Sequence, residues 1–185
     1  MKKIVVIALF TLLAGIAAAR EKSYTVSSPD GTIGITLSLG ERFAYEVHVD
    51  GRPVVAPTPI AMTLDDGSVW GGPAQPSRIR KGTADTSFAT PFYIKERVAD
   101  RYNWLRADFR QGFALEFRAY DDGVAYRFVS TTDKPLVIAS EEAGARFPGD
   151  WACWVPYVRD CDGAEIVPFG SQFKTSFENL YTVAR

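Results

Sequence analysis

The segment that decides the fold class, residues 112–129, reads GFALEFRAYDDGVAYRFV. Apolar residues occupy every second position on both sides of its centre, at Phe113, Leu115 and Phe117 and then at Val124, Tyr126 and Phe128. An apolar period of two predicts strands with one buried face. Asp-Gly between two such runs is a turn signal of a β-hairpin. The segment therefore predicts two antiparallel strands joined by a tight turn.

The same pattern recurs toward the amino terminus. Alternating runs cover 33–39 and 43–49 on either side of the polar turn Gly40-Glu41-Arg42, Asp50-Gly51 marks the next turn, and alternation returns at Ile60, Met62 and Leu64. Helical periodicity is missing after residue 20, and eleven prolines interrupt most windows. We therefore predict an all-β fold, a large antiparallel β-sandwich. The glycine- and proline-rich segment 70–90 is predicted to be a long loop.

The first nineteen residues have the character of a secretory signal peptide. Lys2 and Lys3 form a basic start, an apolar run follows from Ile4 to Leu13, and Ala17-Ala18-Ala19 is a small-residue cleavage pattern. The apolar run is shorter than the roughly 20 residues that cross a bilayer, and no later segment is long or apolar enough. We expect residues 1–19 to be removed and 20–185 to form an exported domain, periplasmic or secreted, without a membrane span. An uncleaved signal anchor is the alternative.

Composition narrows the function classes. The chain has 185 residues, 46% of them hydrophobic and 13% aromatic, which suffices for a core and excludes intrinsic disorder. Removal of the signal peptide would take two of the 21 lysines and arginines and none of the 22 acidic residues. The remaining chain is mildly acidic and has no basic block, which argues against a nucleic-acid partner.

The cysteines and the single histidine carry little chemistry by themselves. Cys153 and Cys161 are the two cysteines of the chain. In an oxidising compartment they can form a disulfide if their Cα atoms approach within about 4.4–6.8 Å, and two unpaired, buried cysteines are the alternative. With one histidine they make no zinc pattern. His48 lies in an alternating run and is interpreted as an ordinary strand residue.

Three acidic pairs are candidates for turns or for functional carboxylates. Asp65-Asp66 and Asp121-Asp122 directly precede glycines, where aspartate stabilises a turn by bonding to nearby backbone. They are interpreted as turn residues. Glu141-Glu142 has no such glycine. It is left open between a solvated strand edge and a functional carboxylate pair.

Several motifs occur together in one order along the chain. They are Ser28-Pro29-Asp30-Gly31, the segment 50–60, the segment 112–129, Glu141-Glu142 and Phe147-Pro148-Gly149-Asp150. This ordered set resembles the N-terminal domain of glycoside hydrolase family 97, from about residue 23 to the last residue. The resemblance implies a galactose mutarotase-like super-sandwich that precedes a catalytic (β/α)8 barrel. The family contains exported α-glucosidases and α-galactosidases, whose catalytic carboxylates lie on the barrel. We expect this chain to hold an incomplete sandwich and no catalytic residue.

The resemblance also implies a calcium ligand. In the family a calcium ion is held mainly by barrel glutamates, with one glutamate from the sandwich, and the matching stretch 176–181 makes Glu178 the candidate. Calcium takes six to eight oxygen ligands, so Glu178 would bind it only together with the barrel. A surface glutamate without a metal is the alternative.

An aromatic cluster lies within residues 147–157 and consists of Phe147, Trp151, Trp154 and Tyr157. Flat rings suit the apolar faces of sugars, and in a regular strand Trp151 and Trp154 would point to opposite faces. They are candidates for contact with a carbohydrate or with the barrel. The resemblance implies two partners, the enzyme's own barrel and an α-glucoside or α-galactoside. Two alternatives are a stand-alone exported carbohydrate-binding sandwich and a structural sandwich without a sugar ligand.

Overall fold

The computed structural model describes residues 22–92, 94–156 and 181–184. These residues form strands and no helix, which confirms the all-β prediction, and no helix among them could cross a membrane. The strands are β1 (Lys22–Ser27), β2 (Ile33–Leu39), β3 (Phe43–Val49), β4 (Arg52–Leu64), β5 (Val69–Trp70), β6 (Arg78–Ala89), β7 (Arg97–Phe109), β8 (Phe113–Tyr120), β9 (Gly123–Ser130), β10 (Ile138–Ala143), β11 (Cys153–Pro156) and β12 (Tyr181–Ala184).

The first sheet has the order β1-β2-β3-β4-β10, with β5 paired to β4. Its hairpins are the predicted ones: Leu39 lies opposite Phe43, and Val49 lies opposite Arg52. Asp50 and Gly51, between β3 and β4, have φ angles of 51° and 74°. Two consecutive residues in this left-handed region match the twist of the flanking strands in a two-residue hairpin. This explains why an Asp-Gly pair stands there.

The second sheet is an antiparallel meander of β6, β7, β8 and β9. The predicted hairpin of residues 112–129 joins β8 to β9, with Tyr120 opposite Gly123. The predicted loop 70–90 is wrong over its second half, because β6 pairs with β7 along its whole length, from Arg78 opposite Asp108 to Ala89 opposite Arg97. The sequence of β6 is polar on both faces and contains Gly82. It therefore shows no apolar alternation, and backbone hydrogen bonds to β7 define it as a strand.

The core lies between the two sheets, as in a β-sandwich. Phe43 of the first sheet lies 4.9 Å from Phe109 of the second, and Trp70 stacks on Phe113 at 5.0 Å between ring centroids. The alternating residues identified in the sequence face this core. Its least exposed large side chains are Phe43, Phe113, Phe117, Ile35, Leu37, Leu39, Ile60, Leu105 and Leu115. The predicted sandwich is therefore confirmed.

The acidic turn residues behave in two ways. Asp66 accepts a hydrogen bond from the backbone amide of Ser68 at 2.8 Å, as a turn residue should. Asp121 differs from the prediction, because it accepts from the backbone amide of Asp30 at 2.9 Å, 91 residues away. It thus ties the β8–β9 turn to the β1–β2 turn. The connection could not be read from its local Asp-Asp-Gly context.

Candidate functional site

Two predicted site residues lie outside the described part of the chain. These are Glu178 and Cys161, so the calcium ligand and the disulfide stay predictions. Cys153 and Trp154 open β11 and lie opposite Ala184 and Val183 of β12. Within the described residues, no three His, Cys, Asp or Glu side chains converge on a metal-sized point.

Trp151 lies on the surface just before β11. That strand begins at Cys153, so the regular alternation assumed between Trp151 and Trp154 does not include Trp151. Its side chain is 64% exposed. Its indole lies close to Gly149, where a Cβ atom would come 2.9 Å from the ring nitrogen. Phe147 nearby is also exposed. Two exposed aromatic side chains, Phe147 and Trp151, thus precede β11.

The three remaining candidate residues, His48, Glu141 and Glu142, occupy ordinary strand positions. His48 lies in β3 between Gly34 of β2 and Pro53 of β4, as an ordinary strand residue would. Glu141 and Glu142 lie in β10, whose side chains are exposed. Glu142 forms an ion pair with Arg42 across the surface. This position agrees with a solvated strand edge.

Polar side chains cover the outward face of the second sheet, a face that was not among the predicted sites. One row crosses all four strands, with Arg80 opposite Arg106, Arg106 opposite Glu116, and Glu116 opposite Arg127. Asp108 and Arg118 flank the row on β7 and β8. We call the six residues Arg80, Arg106, Asp108, Glu116, Arg118 and Arg127 the arginine face.

Glu116 is the centre of the arginine face. Its Oε1 accepts hydrogen bonds from Nη2 of Arg118 at 3.1 Å and from Nη2 of Arg127 at 3.2 Å, and its Oε2 accepts from Nη1 of Arg106 at 3.5 Å. Arg106 also donates through Nε to Asp108 at 2.9 Å. Asp108 accepts from Nη2 of Arg80 at the same distance. The six side chains therefore form one continuous network.

Charge is distributed unevenly in this network. Burial raises the pKa of Glu116, but hydrogen bonds from Arg127 and Arg118 outweigh it and hold that pKa below its ordinary value. The pKa of Asp108 is lowered in the same way, with Arg106 and Arg80 outweighing burial. Both carboxylates are thus ionised at neutral pH. Four guanidinium groups face two carboxylates, a surplus of positive charge on a chain whose net charge is −1.

Aromatic side chains border the arginine face. The guanidinium of Arg118 lies 4.5 Å from the ring centroid of Tyr102, a cation–π contact. The ring of Tyr120 lies 4.9 Å from that of Tyr102. The indole of Trp104 lies over Gly82 of the neighbouring strand. The border is therefore built from flat rings held in place by the sheet.

Two shallow cavities open among these side chains. One, of about 160 Å³, is lined by Glu116, Arg118, Tyr120 and Arg127 together with Ala125 and Tyr126. The other, of about 170 Å³, is lined by Tyr102, Trp104, Arg106 and Glu116. They meet at Glu116. The outward positions of β8 and β9 are the polar halves of the predicted alternating runs, so the sequence already placed Glu116, Arg118 and Arg127 on outward positions. It gave no signal for their meeting with Arg80 and Arg106.

Comparisons with known proteins agree with this fold. Residues 26–185 match the family described as glycosyl-hydrolase 97 N-terminal. The chain is 38% identical over 182 residues to a retaining alpha-galactosidase of Bacteroides thetaiotaomicron, an alignment that covers 98% of this chain and 27% of that protein.

Two solved structures share the fold at 19% identity. A β-arabinopyranosidase superposes with a TM-score of 0.70 over 86% of this chain and 26% of its own. A family 97 enzyme of Pseudoalteromonas, solved in complex with acarbose, superposes with a TM-score of 0.65 over 87% of this chain and 24% of its own. The chain spans about a quarter of the length of these relatives. Since the family match covers most of its length, the chain belongs to glycoside hydrolase family 97 and corresponds to the N-terminal domain of that family.

Proposed function

We propose that this chain is the non-catalytic N-terminal domain of an exported hydrolase of the α-galactosidase or α-glucosidase type. In this proposal it packs on a catalytic barrel and forms one wall of the carbohydrate pocket. The observation that carries it is the 38% identity to a retaining alpha-galactosidase across 98% of this chain. The family match, which is to an N-terminal domain, supports the non-catalytic role.

Exposed apolar side chains support a contact with a further domain. The strand β8 pairs with β7 from Asn103 to Phe109. Between Asn103 and the hairpin tip, β6 and β7 pair with each other, and no third described strand joins them. Near its tip Phe92 is 101% exposed and Ile94 is 94% exposed. Soluble monomers rarely leave clusters of large apolar side chains in water. In the proposal the barrel covers this tip or the exposed side chains of Phe147 and Trp151.

The proposal gives roles to the residues near the carboxyl end. Glu178 contributes one carboxylate to a calcium ion whose other ligands come from the barrel. Trp151 and Trp154 lie toward the barrel or the sugar. Cys153 and Cys161 are oxidised to a disulfide after export.

A domain exchange tests the main proposal. Residues 20–185 replace the aligned quarter of the Bacteroides thetaiotaomicron alpha-galactosidase, and hydrolysis of an aryl α-galactoside is measured. We expect activity from the chimera and none from the same enzyme without its N-terminal quarter or from residues 20–185 alone. A chimera no more active than the deletion, made as a folded protein, would contradict the proposal. Tight sugar binding by the isolated chain would instead favour a stand-alone binding module.

The chimera also tests the calcium ligand. Glu178→Gln should lower the melting temperature of the chimera in the presence of calcium, because one carboxylate ligand is gone. A chelator should then lower the melting temperature of the variant by less than it lowers that of the parent chimera. Glu141→Gln, at the exposed strand β10, is the matched control and should change neither value. Equal melting temperatures for Glu178→Gln and the parent chimera would exclude the metal role.

Export is tested separately by the start of the secreted chain. We expect N-terminal sequencing of periplasmic protein to begin at Arg20, after the Ala17–Ala19 pattern. Exported protein that retains Met1 would show that the segment is an uncleaved anchor.

A further inference from the structure

We propose that the arginine face is a binding site for an acidic oligosaccharide, in which the sugar rings carry carboxylate or sulfate groups. This inference goes beyond the proposed function, because it assigns a ligand to the outward face of the second sheet and requires no barrel. It rests on the charge, the hydrogen-bonding capacity and the shape of that face.

The charge presented to solvent is positive. Glu116 is the least exposed member of the network, with 13% of its side chain accessible, whereas Arg127 is 60% accessible. Glu116 is thus less accessible than each of the three arginines that it binds. A ligand that approaches the face meets arginines first.

The arginines keep donors for a ligand. Arg127 uses only Nη2 in its contacts with Glu116, and within the described residues no hydrogen bond engages its Nε or Nη1. Arg80 binds Asp108 through Nε and Nη2. Within the described residues its Nη1 makes no hydrogen bond either. A guanidinium has five N–H donors in a planar fork that suits two oxygens of a carboxylate or sulfate. These donors suit a ligand that supplies acceptor oxygens, and the surplus of guanidinium groups over carboxylates favours anionic ones.

The spacing of the arginines favours an extended ligand. Arg106 and Arg127 lie two strands apart in the same row. Strands are separated by about 4.8 Å, so their backbones lie about 10 Å apart. Charged groups on neighbouring units of an oligosaccharide can reach both. A single small anion would use only one of them.

The shape of the face favours sugar rings over an acidic peptide. The two cavities of about 160 and 170 Å³ are below the roughly 300–1,000 Å³ of a drug-sized pocket, so each suits one small ring. Trp104 rests on Gly82 with one side of its indole. The indole also lines the cavity of about 170 Å³, where it can meet the apolar face of a sugar ring. An acidic peptide would use the charge but not these flat, shallow positions.

Calorimetric titration of the purified exported chain tests the proposal. The probes are tetragalacturonate for carboxylates, a sulfated tetrasaccharide for sulfates, neutral maltotetraose and a tetraglutamate peptide. We expect one or both anionic sugars to bind, with an affinity that falls as the salt concentration rises. Maltotetraose and tetraglutamate should bind at least tenfold more weakly. Which anionic probe binds more tightly distinguishes the two sources of charge.

Variants then locate the site. Arg127→Gln and Arg80→Gln should each weaken binding of the anionic sugar about tenfold, since each removes a charge-assisted contact. Trp104→Phe should weaken it several-fold while keeping a ring over Gly82. Arg97→Gln, on the same strand as Arg106 but outside the arginine face, should bind as the parent does. Circular dichroism melts confirm that each variant is folded.

Three outcomes would overturn the proposal. They are no binding of either anionic sugar, equal binding of maltotetraose, and binding that survives the loss of Arg80 and Arg127. Tighter binding of tetraglutamate than of the sugars would also overturn it and would identify the face as a docking surface for an acidic protein segment.

Discussion

The indole of Trp104 lies directly over Gly82 of the neighbouring strand, where a Cβ atom would come 2.5 Å from the ring. Gly82 and Trp104 are opposite each other in the β6–β7 register. The missing side chain at Gly82 is therefore what allows the tryptophan to lie against the sheet. This packing holds Trp104 beside the arginine face.

Alanine at Gly82 should therefore destabilise the domain. The added methyl group would displace the indole, and such overpacking costs about 1–3 kcal/mol. Gly34→Ala is the matched control, because a Cβ atom at Gly34 of β2 meets no atom closer than 4.0 Å. Urea unfolding should place Gly34→Ala at or above the parent in stability and Gly82→Ala below it. Equal stabilities would show that Trp104 moves without cost.

Loss of the Glu116 carboxylate should cost more than loss of an exposed one. Glu116→Gln leaves Arg106, Arg118 and Arg127 close together with fewer charge-assisted hydrogen bonds, and we expect about 1–3 kcal/mol of destabilisation. Glu142→Gln breaks only the exposed pair with Arg42 and should cost less than about 1 kcal/mol. Chemical unfolding of both variants at low salt checks the difference. The prediction fails if Glu142→Gln is the more damaging change.

Asp30 should make stability fall in acid. The hydroxyl of Ser28 and the backbone amide of Thr32 hydrogen-bond its carboxylate and hold its pKa at about 2. The unfolded value is about 3.9, so the stabilisation is present above that pH and is lost as pH falls toward 2. Asp30→Asn keeps a side-chain oxygen but not the charge.

Unfolding curves between pH 6 and pH 2 measure this effect. The difference in unfolding free energy between the parent and Asp30→Asn should shrink as pH falls. A difference that stays constant across the range would contradict the assignment.

Tyr126 should lose its hydroxyl proton at a higher pH than an ordinary tyrosine. Burial, followed by the charge of Glu141 and the proximity of Tyr45, raises the pKa of Tyr126 to about 12. Since the unfolded value is about 10, the stabilisation is complete below pH 10 and is lost as pH rises through 12. Ultraviolet titration should show a late step that Tyr126→Phe removes and that disappears in denaturant. A late step unchanged in Tyr126→Phe would assign it to another of the eight tyrosines.

Strands in which apolar and polar residues alternate were predictable from the sequence. Strands without this alternation were not. Residues 33–39 and 113–120 alternate because one face of each strand is buried, and local turn residues mark where they end. The strand β6 has no such signal, since polar residues occupy both of its faces. Its conformation depends on β7, which follows it in the chain after the residues that form the hairpin tip.

The candidate sites divide in the same way. Glu178 was identified by resemblance to a family motif, and it lies outside the described residues, so it stays a prediction. The arginine face was not found, because its members are spread from Arg80 to Arg127. Each arginine alone is an unremarkable outward residue of a strand. Only strand pairing places four of them around Glu116 and Asp108.

The fold class, the turn at Asp50-Gly51 and the family were predictable from the sequence, since they depend on local conformational preference and on residue order. The tertiary structure decided which distant residues meet. Asp121 contacts Asp30, Trp104 covers Gly82, and Arg80 shares Asp108 with Arg106. Strand register and sheet packing are set by the burial of whole faces across the chain. No local segment contains that information, so the surface chemistry of the second sheet emerged only when the strands were paired.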